Sequence, residues 1–74
     1  MGKLSPLPAR KIIKKLEQAG FFFVRQRGSH ISMKNDEGTI VVVPDHGSHD
    51  IAVGTMHAII VEQAGLTIEQ FNNL

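Results

Sequence analysis

The feature that most constrains this chain is a change of hydrophobic period at Gly20. Ahead of it, Ala9, Ile12, Ile13, Leu16 and Ala19 recur three and four residues apart, which makes one side of a helix apolar. Behind it, Phe21-Phe22-Phe23-Val24 is aromatic and β-branched, and too short for a second helix. A stripe of period 3.6 that stops at a glycine and gives way to strand-forming residues commits the chain to helix and sheet together. Pro8 suits the first helical turn, where a missing N–H costs nothing, and Gly20 suits a left-handed stop. With 74 residues, a chain of this size buries only about 60% of its unfolded surface. Stripe and strands must therefore share one small core.

The pattern continues in the same vein. The first strand runs to about Arg25 and is broken at Gly28. Residues 29–34 then alternate, with Ile31 and Met33 on one face and His30, Ser32 and Lys34 on the other. Asn35-Asp36-Glu37-Gly38 is a turn of hairpin length. Residues 39–43 form a third strand closed by Pro44, and 45–50 a polar loop. A second helix starts at about Gly54 or Thr55, with Met56, Ile59, Ile60 and Ala64 as its stripe and Gly65 as its stop. Thr67 and Gln70 have capping-box spacing, which predicts a last short turn through Phe71. Residues 1–7 read as an arm. The order is α-β-β-β-α in a single domain over 1–74. Short links make a three-stranded antiparallel meander with the helices on one face the economical α+β arrangement, that of double-stranded-RNA-binding domains.

The charges are polarised along the chain. All eight cations (Lys3, Arg10, Lys11, Lys14, Lys15, Arg25, Arg27 and Lys34) fall in the first 34 residues, where Glu17 is the only acid. That stretch carries net +7 and the remainder −6, so the overall +1 conceals a front half suited to a polyanion. No apolar run approaches the ~18 residues of a membrane span. The N-terminus lacks a secretory apolar segment, and Pro6 stands where a myristoylation start wants Ser or Thr. Zero cysteines exclude a disulfide scaffold and thiolate-bound zinc. A cytoplasmic protein without small-molecule cofactor is the expectation. The chain is too short for a Rossmann or barrel enzyme, so catalysis would rest on few residues.

His30 is the residue of most chemical interest. Histidine ordinarily titrates near neutrality, at about 6.5, and RNA cleavage through the ribose 2′-hydroxyl needs such a group beside the phosphate. Arg25, Arg27 and Lys34 lie close in sequence for charge on the phosphoryl oxygens. Gly28 would let a phosphate approach the backbone, and Ser29 would shape the strand entry. The plainer alternative is a surface strand histidine hydrogen-bonded to a neighbour. Arg10, Lys11, Lys14 and Lys15 on the polar side of helix 1 either contact phosphates or merely solvate that side. His46 and His49 with Asp45 or Asp50 contain metal-ligating types. Without further ligands at known spacing, a capping role in a polar loop is the simpler reading, and no metal is expected. The Phe21 to Phe23 run reads more simply as core than as a base-stacking platform, but parity sets Phe22 against Phe21 and Phe23 across the sheet and leaves open a ring available to RNA or a protein.

These residues form a recognisable pattern. Leu16-Glu17-Gln18-Ala19-Gly20-Phe21, Arg25-Gln26-Arg27-Gly28-Ser29-His30, Asp36-Glu37-Gly38, Val41-Val42-Val43-Pro44-Asp45-His46, Gly54-Thr55-Met56 with Ile59-Ile60, and Gln63-Ala64-Gly65-Leu66-Thr67 with Glu69-Gln70-Phe71 occur in that order. Over nearly its whole length the chain resembles the HicA-type (YcfA-like) mRNA interferase toxins. The resemblance implies a double-stranded-RNA-binding-like fold and metal-independent endoribonuclease activity on mRNA, with His30 as the catalytic histidine. It also implies a HicB-like antitoxin that covers the site. Two departures stand out: Ile31 follows His30 where relatives often carry a second polar residue, and the entry to helix 2 has no Lys or Arg. A non-catalytic RNA-binding module of the same fold, or a protein-binding domain, are the alternatives from other classes.

Overall fold

The computed structural model describes residues 2–74. Helix α1 (Ala9–Gln18) leads into a three-stranded sheet of β2 (Phe22–Arg27), β3 (His30–Lys34) and β4 (Ile40–Pro44). A two-residue strand β1 (Leu7–Pro8) precedes α1, and its partner β5 (Asp50–Ile51) precedes α2 (Val53–His57). The helix then widens into a π-helical segment over Ala58–Gln63, and α3 (Ile68–Asn72) closes the chain. The expected α-β-β-β-α order and the antiparallel meander, β2-β3-β4 with β3 central, are both observed.

The end of α1 shows why the period changes where it does. Gly20 takes a φ of 98°. Its N–H donates to the Glu17 carbonyl at 3.1 Å, and the Phe21 N–H donates to the Leu16 carbonyl at 3.0 Å. This is the Schellman pairing, in which a left-handed glycine lets two orphan carbonyls be satisfied while the chain reverses. The reversal drives Phe21 into the core beside Leu16, with both side chains buried. At the other end, Pro8 lies just outside the helix as its N-cap, with extended backbone angles.

The core fills the space between the helices and one face of the sheet. Ala9, Ile12 and Leu16 from α1 and Met56, Ile59 and Ile60 from the second helix meet Ile31, Met33, Val41 and Val43, and Phe71 of α3 completes the cluster. The alternation in β3 is as expected, with Ile31 and Met33 buried. The capping box is present: Thr67 Oγ1 accepts from the Gln70 N–H at 3.0 Å, and Gln70 Oε1 accepts from the Thr67 N–H at 2.8 Å.

Three features differ from the sequence expectation. The arm pairs with the loop before α2, Leu7 opposite Ile51 and Pro8 opposite Asp50. Such a ladder joins segments distant in sequence and leaves no local period. The second helix starts at Val53 and changes to π geometry along Ile59, Ile60 and Val61, consecutive β-branched residues whose stiff χ1 torsions crowd a tight helical turn. Finally, β2 overhangs the helices, which pack chiefly on β4. All six β2 residues are exposed as a result, including both Phe22 and Phe23.

Candidate functional site

The sheet face turned away from the helices consists of three cross-strand rows. Residues directly opposite one another project to the same side, so the register defines each row. Arg27, His30 and Pro44 form the first, Arg25, Ser32 and Val42 the second, and Phe22, Lys34 and Ile40 the third. A bulge at Val24 creates this arrangement by breaking the β2–β3 register between Phe23 and Arg25. Strict alternation would place Phe22 opposite in sense to Arg25 and Arg27. The extra residue returns all three to one face.

His30 is exposed at the start of the central strand. A two-residue hairpin loop joins it to Arg27, and Gly28 supplies the positive φ, 56°, at the first loop position. Gly28 suits a II′ turn, whose twist matches that of the flanking strands. The Gln26 side-chain amide donates to the Gly28 carbonyl at 3.0 Å. Ser29 is half-buried, and its carbonyl accepts from the Asp45 N–H at 2.6 Å, which binds the hairpin to the chain leaving β4. Backbone on both flanks thus fixes the position of His30.

No carboxylate occurs in the three rows. The ion pair among the described residues, His57 Nδ1 to Glu62 Oε2 at 3.6 Å, lies in the helical layer. Arg27 is therefore an exposed cation directly across from the imidazole, with Arg25 and Lys34 exposed one and two rows farther along the same face, an arrangement that attracts phosphate. Between the second and third rows is a depression of about 300 Å³ lined by Val24, Arg25, Ser32, Lys34 and Ile40.

The remaining sequence-predicted contacts are elsewhere. Arg10, Lys11 and Lys14 are exposed and, at 100° per residue, stand on the side of α1 opposite its buried Ala9, Ile12 and Leu16. They and His30 thus face away from each other across the two layers. Lys15 belongs to neither surface. Its ammonium donates to the Phe71 carbonyl at 3.3 Å and the Leu74 carbonyl at 3.4 Å, and lies 4.9 Å from the Phe71 ring centroid. In the loop, Asp45 Oδ1 accepts from the Gly47 N–H at 2.9 Å. Among the described residues, no three His, Asp or Glu side chains converge as an ion site.

The family model described as the HicA toxin of bacterial toxin–antitoxin systems matches residues 9–66, from the first residue of α1 past Gly65. The chain belongs to the HicA toxin family. No curated protein matches it. As a HicA chain it is a toxin of a toxin–antitoxin system, from a family whose members are generally mRNA interferases. The matched span includes the whole outer sheet face, while α3 lies beyond it. No helix of this HicA chain's described residues is long and apolar enough to cross a membrane.

Sequence reasoning left open an outward phenylalanine ring, which Phe22 supplies, but missed the aliphatic part of the site face. Phe22, Val24 and Ile40 are exposed there, yet residues 40–43 read Ile-Val-Val-Val without alternation. The composition of β4 therefore gave no sign of which side chains face outward.

Proposed function

We propose that this chain is a metal-independent endoribonuclease that cleaves mRNA, with His30 as the acid–base group, in a single domain over 1–74 acting in the cytoplasm. The observation that carries the reading is the first row: an exposed imidazole with Arg27 directly across from it, Arg25 and Lys34 on the same face, and no carboxylate among them. His30 takes the proton from a ribose 2′-hydroxyl, and the 2′-oxygen forms a bond to the adjacent phosphorus. The P–O5′ bond breaks, and the leaving oxygen takes a proton from solvent. The products are a 2′,3′-cyclic phosphate and a 5′-hydroxyl. Arg27, directly across from His30, holds the phosphoryl oxygens as charge develops on them, and Arg25 and Lys34 add positive charge farther along the same face. Gly28 keeps side-chain bulk away from the hairpin tip, where a Cβ would meet nothing within 4 Å, so a phosphate can approach the backbone. Ser29 shapes the strand entry through its carbonyl bond to Asp45. Arg10, Lys11 and Lys14 add non-specific, salt-sensitive phosphate contacts from the other layer. A HicB-like antitoxin covering the outer sheet face would exclude RNA from His30.

The test is cleavage of an RNA and its all-deoxy counterpart with EDTA present. The expected result is cleavage of the RNA alone, leaving cyclic phosphate ends. Loss of RNA cleavage in EDTA would redirect attention to a metal at His46 and His49. RNA binding without cleavage would favour the non-catalytic module.

A further inference from the structure

The depression beside His30 is not needed for proton transfer, and its composition suits a different ligand group. We propose that Val24, Arg25, Ser32, Lys34 and Ile40 form a subsite for a nucleobase next to the scissile phosphate, so that the RNA is engaged as an unpaired strand. This inference rests on the ribonuclease reading and specifies its substrate.

Four observations carry it. Ser32 is two residues from His30 on one strand, about 6.6 Å at 3.3 Å per residue, close to the span of one extended nucleotide. The volume of about 300 Å³ lies at the lower limit of ligand pockets and accommodates a planar base. Its two sides are apolar, with Val24 on β2 49% and Ile40 on β4 58% exposed, and Phe22 extends the β2 side into the third row. Lys34 on the central strand and Arg25 on β2 line it beside Ser32, where the flanking phosphates of a strand leaving His30 would pass.

Apolar sides and the cations between and beside them together match single-stranded nucleic acid, which presents base faces and phosphates to the same surface. A duplex hides its base faces inside the stack, and its sugar–phosphate surface would leave Val24, Ile40 and Phe22 without an apolar partner. The cationic cluster of Arg10, Lys11 and Lys14 on α1 borders a larger space of about 430 Å³, but its remaining lining residue is Glu17, and no apolar side chain contributes. It suits phosphate contact and not base recognition.

The test compares wild type, Val24→Ser, Ile40→Ser and, as a control from the helical layer, Val53→Ser, which is also an exposed apolar residue. Binding of a 2′-O-methyl single strand, which lacks the nucleophilic hydroxyl, is measured by fluorescence anisotropy beside a duplex of equal length. Cleavage of the unmodified strand is followed in parallel. The expected result is a three- to tenfold weaker Kd for Val24→Ser and Ile40→Ser. KM for cleavage should rise equally, kcat should hold within twofold, and Val53→Ser should behave as wild type. Duplex binding should be weaker than single-strand binding at the same salt. Unchanged single-strand binding in both variants would overturn the subsite and leave the depression as a protein-facing surface. Equal affinity for duplex would overturn it as well. Cleavage that fails in wild type while Ile40→Ser still weakens binding would support the subsite and remove the nuclease step, so the two failures are distinguishable.

Discussion

Lys15 provides the sharpest check on how this small fold is held together, because its sequence position suggests an RNA contact and its geometry a structural one. Replacing it by alanine removes three interactions at the C-terminal end of α3. The two ammonium–carbonyl contacts, at 3.3 and 3.4 Å, exceed the usual N–H···O range, so each is weighed at about 0.5 kcal/mol, the low end for a hydrogen bond. The cation over the Phe71 ring at 4.9 Å contributes about 0.5 kcal/mol at a partly exposed site. A positive charge at a helix C-terminus is itself favourable, but that effect is largely the same carbonyl interaction and is not counted again. The sum is about 1.5 kcal/mol, which for a domain of this size corresponds to a loss in Tm of roughly 6–12 °C. Lys14→Ala, one position away on the solvent side of α1, should stay within about 0.5 kcal/mol of wild type. Urea denaturation of the two variants at equal salt makes the comparison. RNA affinity should follow the opposite order, with Lys14→Ala reducing it and Lys15→Ala leaving it unchanged under conditions where both are folded. Equal stability of the two variants would refute the assignment of Lys15 to α3.

Further expectations follow from the same reasoning. Gly28→Ala meets no steric obstacle but must hold φ near 56°. It should cost about 1–2 kcal/mol in urea, and Gly28→Asn should cost less because Asn tolerates that region. Thr67→Ala removes the reciprocal cap of α3 and should cost about 1 kcal/mol, measured the same way. Gln63 Oε1 accepts from the Val42 N–H at 2.8 Å on the outer edge of β4, so Gln63→Ala should expose that edge and raise concentration-dependent self-association in light scattering.

The parts of the fold that sequence made visible are those governed by neighbours in the chain. The stripe of α1, its glycine stop, the alternation through Ile31 and Met33, and the Thr67–Gln70 box each depend on residues within a few positions. The parts it concealed depend on distant contacts. Leu7 could not be matched to Ile51 by any local pattern. That Phe22 and Phe23 are both exposed follows from how far the helices extend across the sheet. The same contrast holds at the site. His30, Arg27, Arg25 and Lys34 were recognisable by type and proximity. Their presence on one face with Phe22 depends on the bulge at Val24, which reverses the alternation partway along β2. Lys15 looked like one cation among four on α1 because nothing near it in sequence marks the α3 carbonyls it serves.

The central claim is that His30 performs the proton transfer, and single-turnover cleavage of one RNA by wild type and His30→Ala tests it most directly. His30 is exposed, so the variant should unfold within about 0.5 kcal/mol of wild type in urea. Loss of a general acid–base group typically costs about 10²–10⁴ in rate. A decrease of at least about 100-fold at saturating enzyme, with RNA affinity retained, is the predicted result. Cleavage by His30→Ala at the wild-type rate would contradict the account.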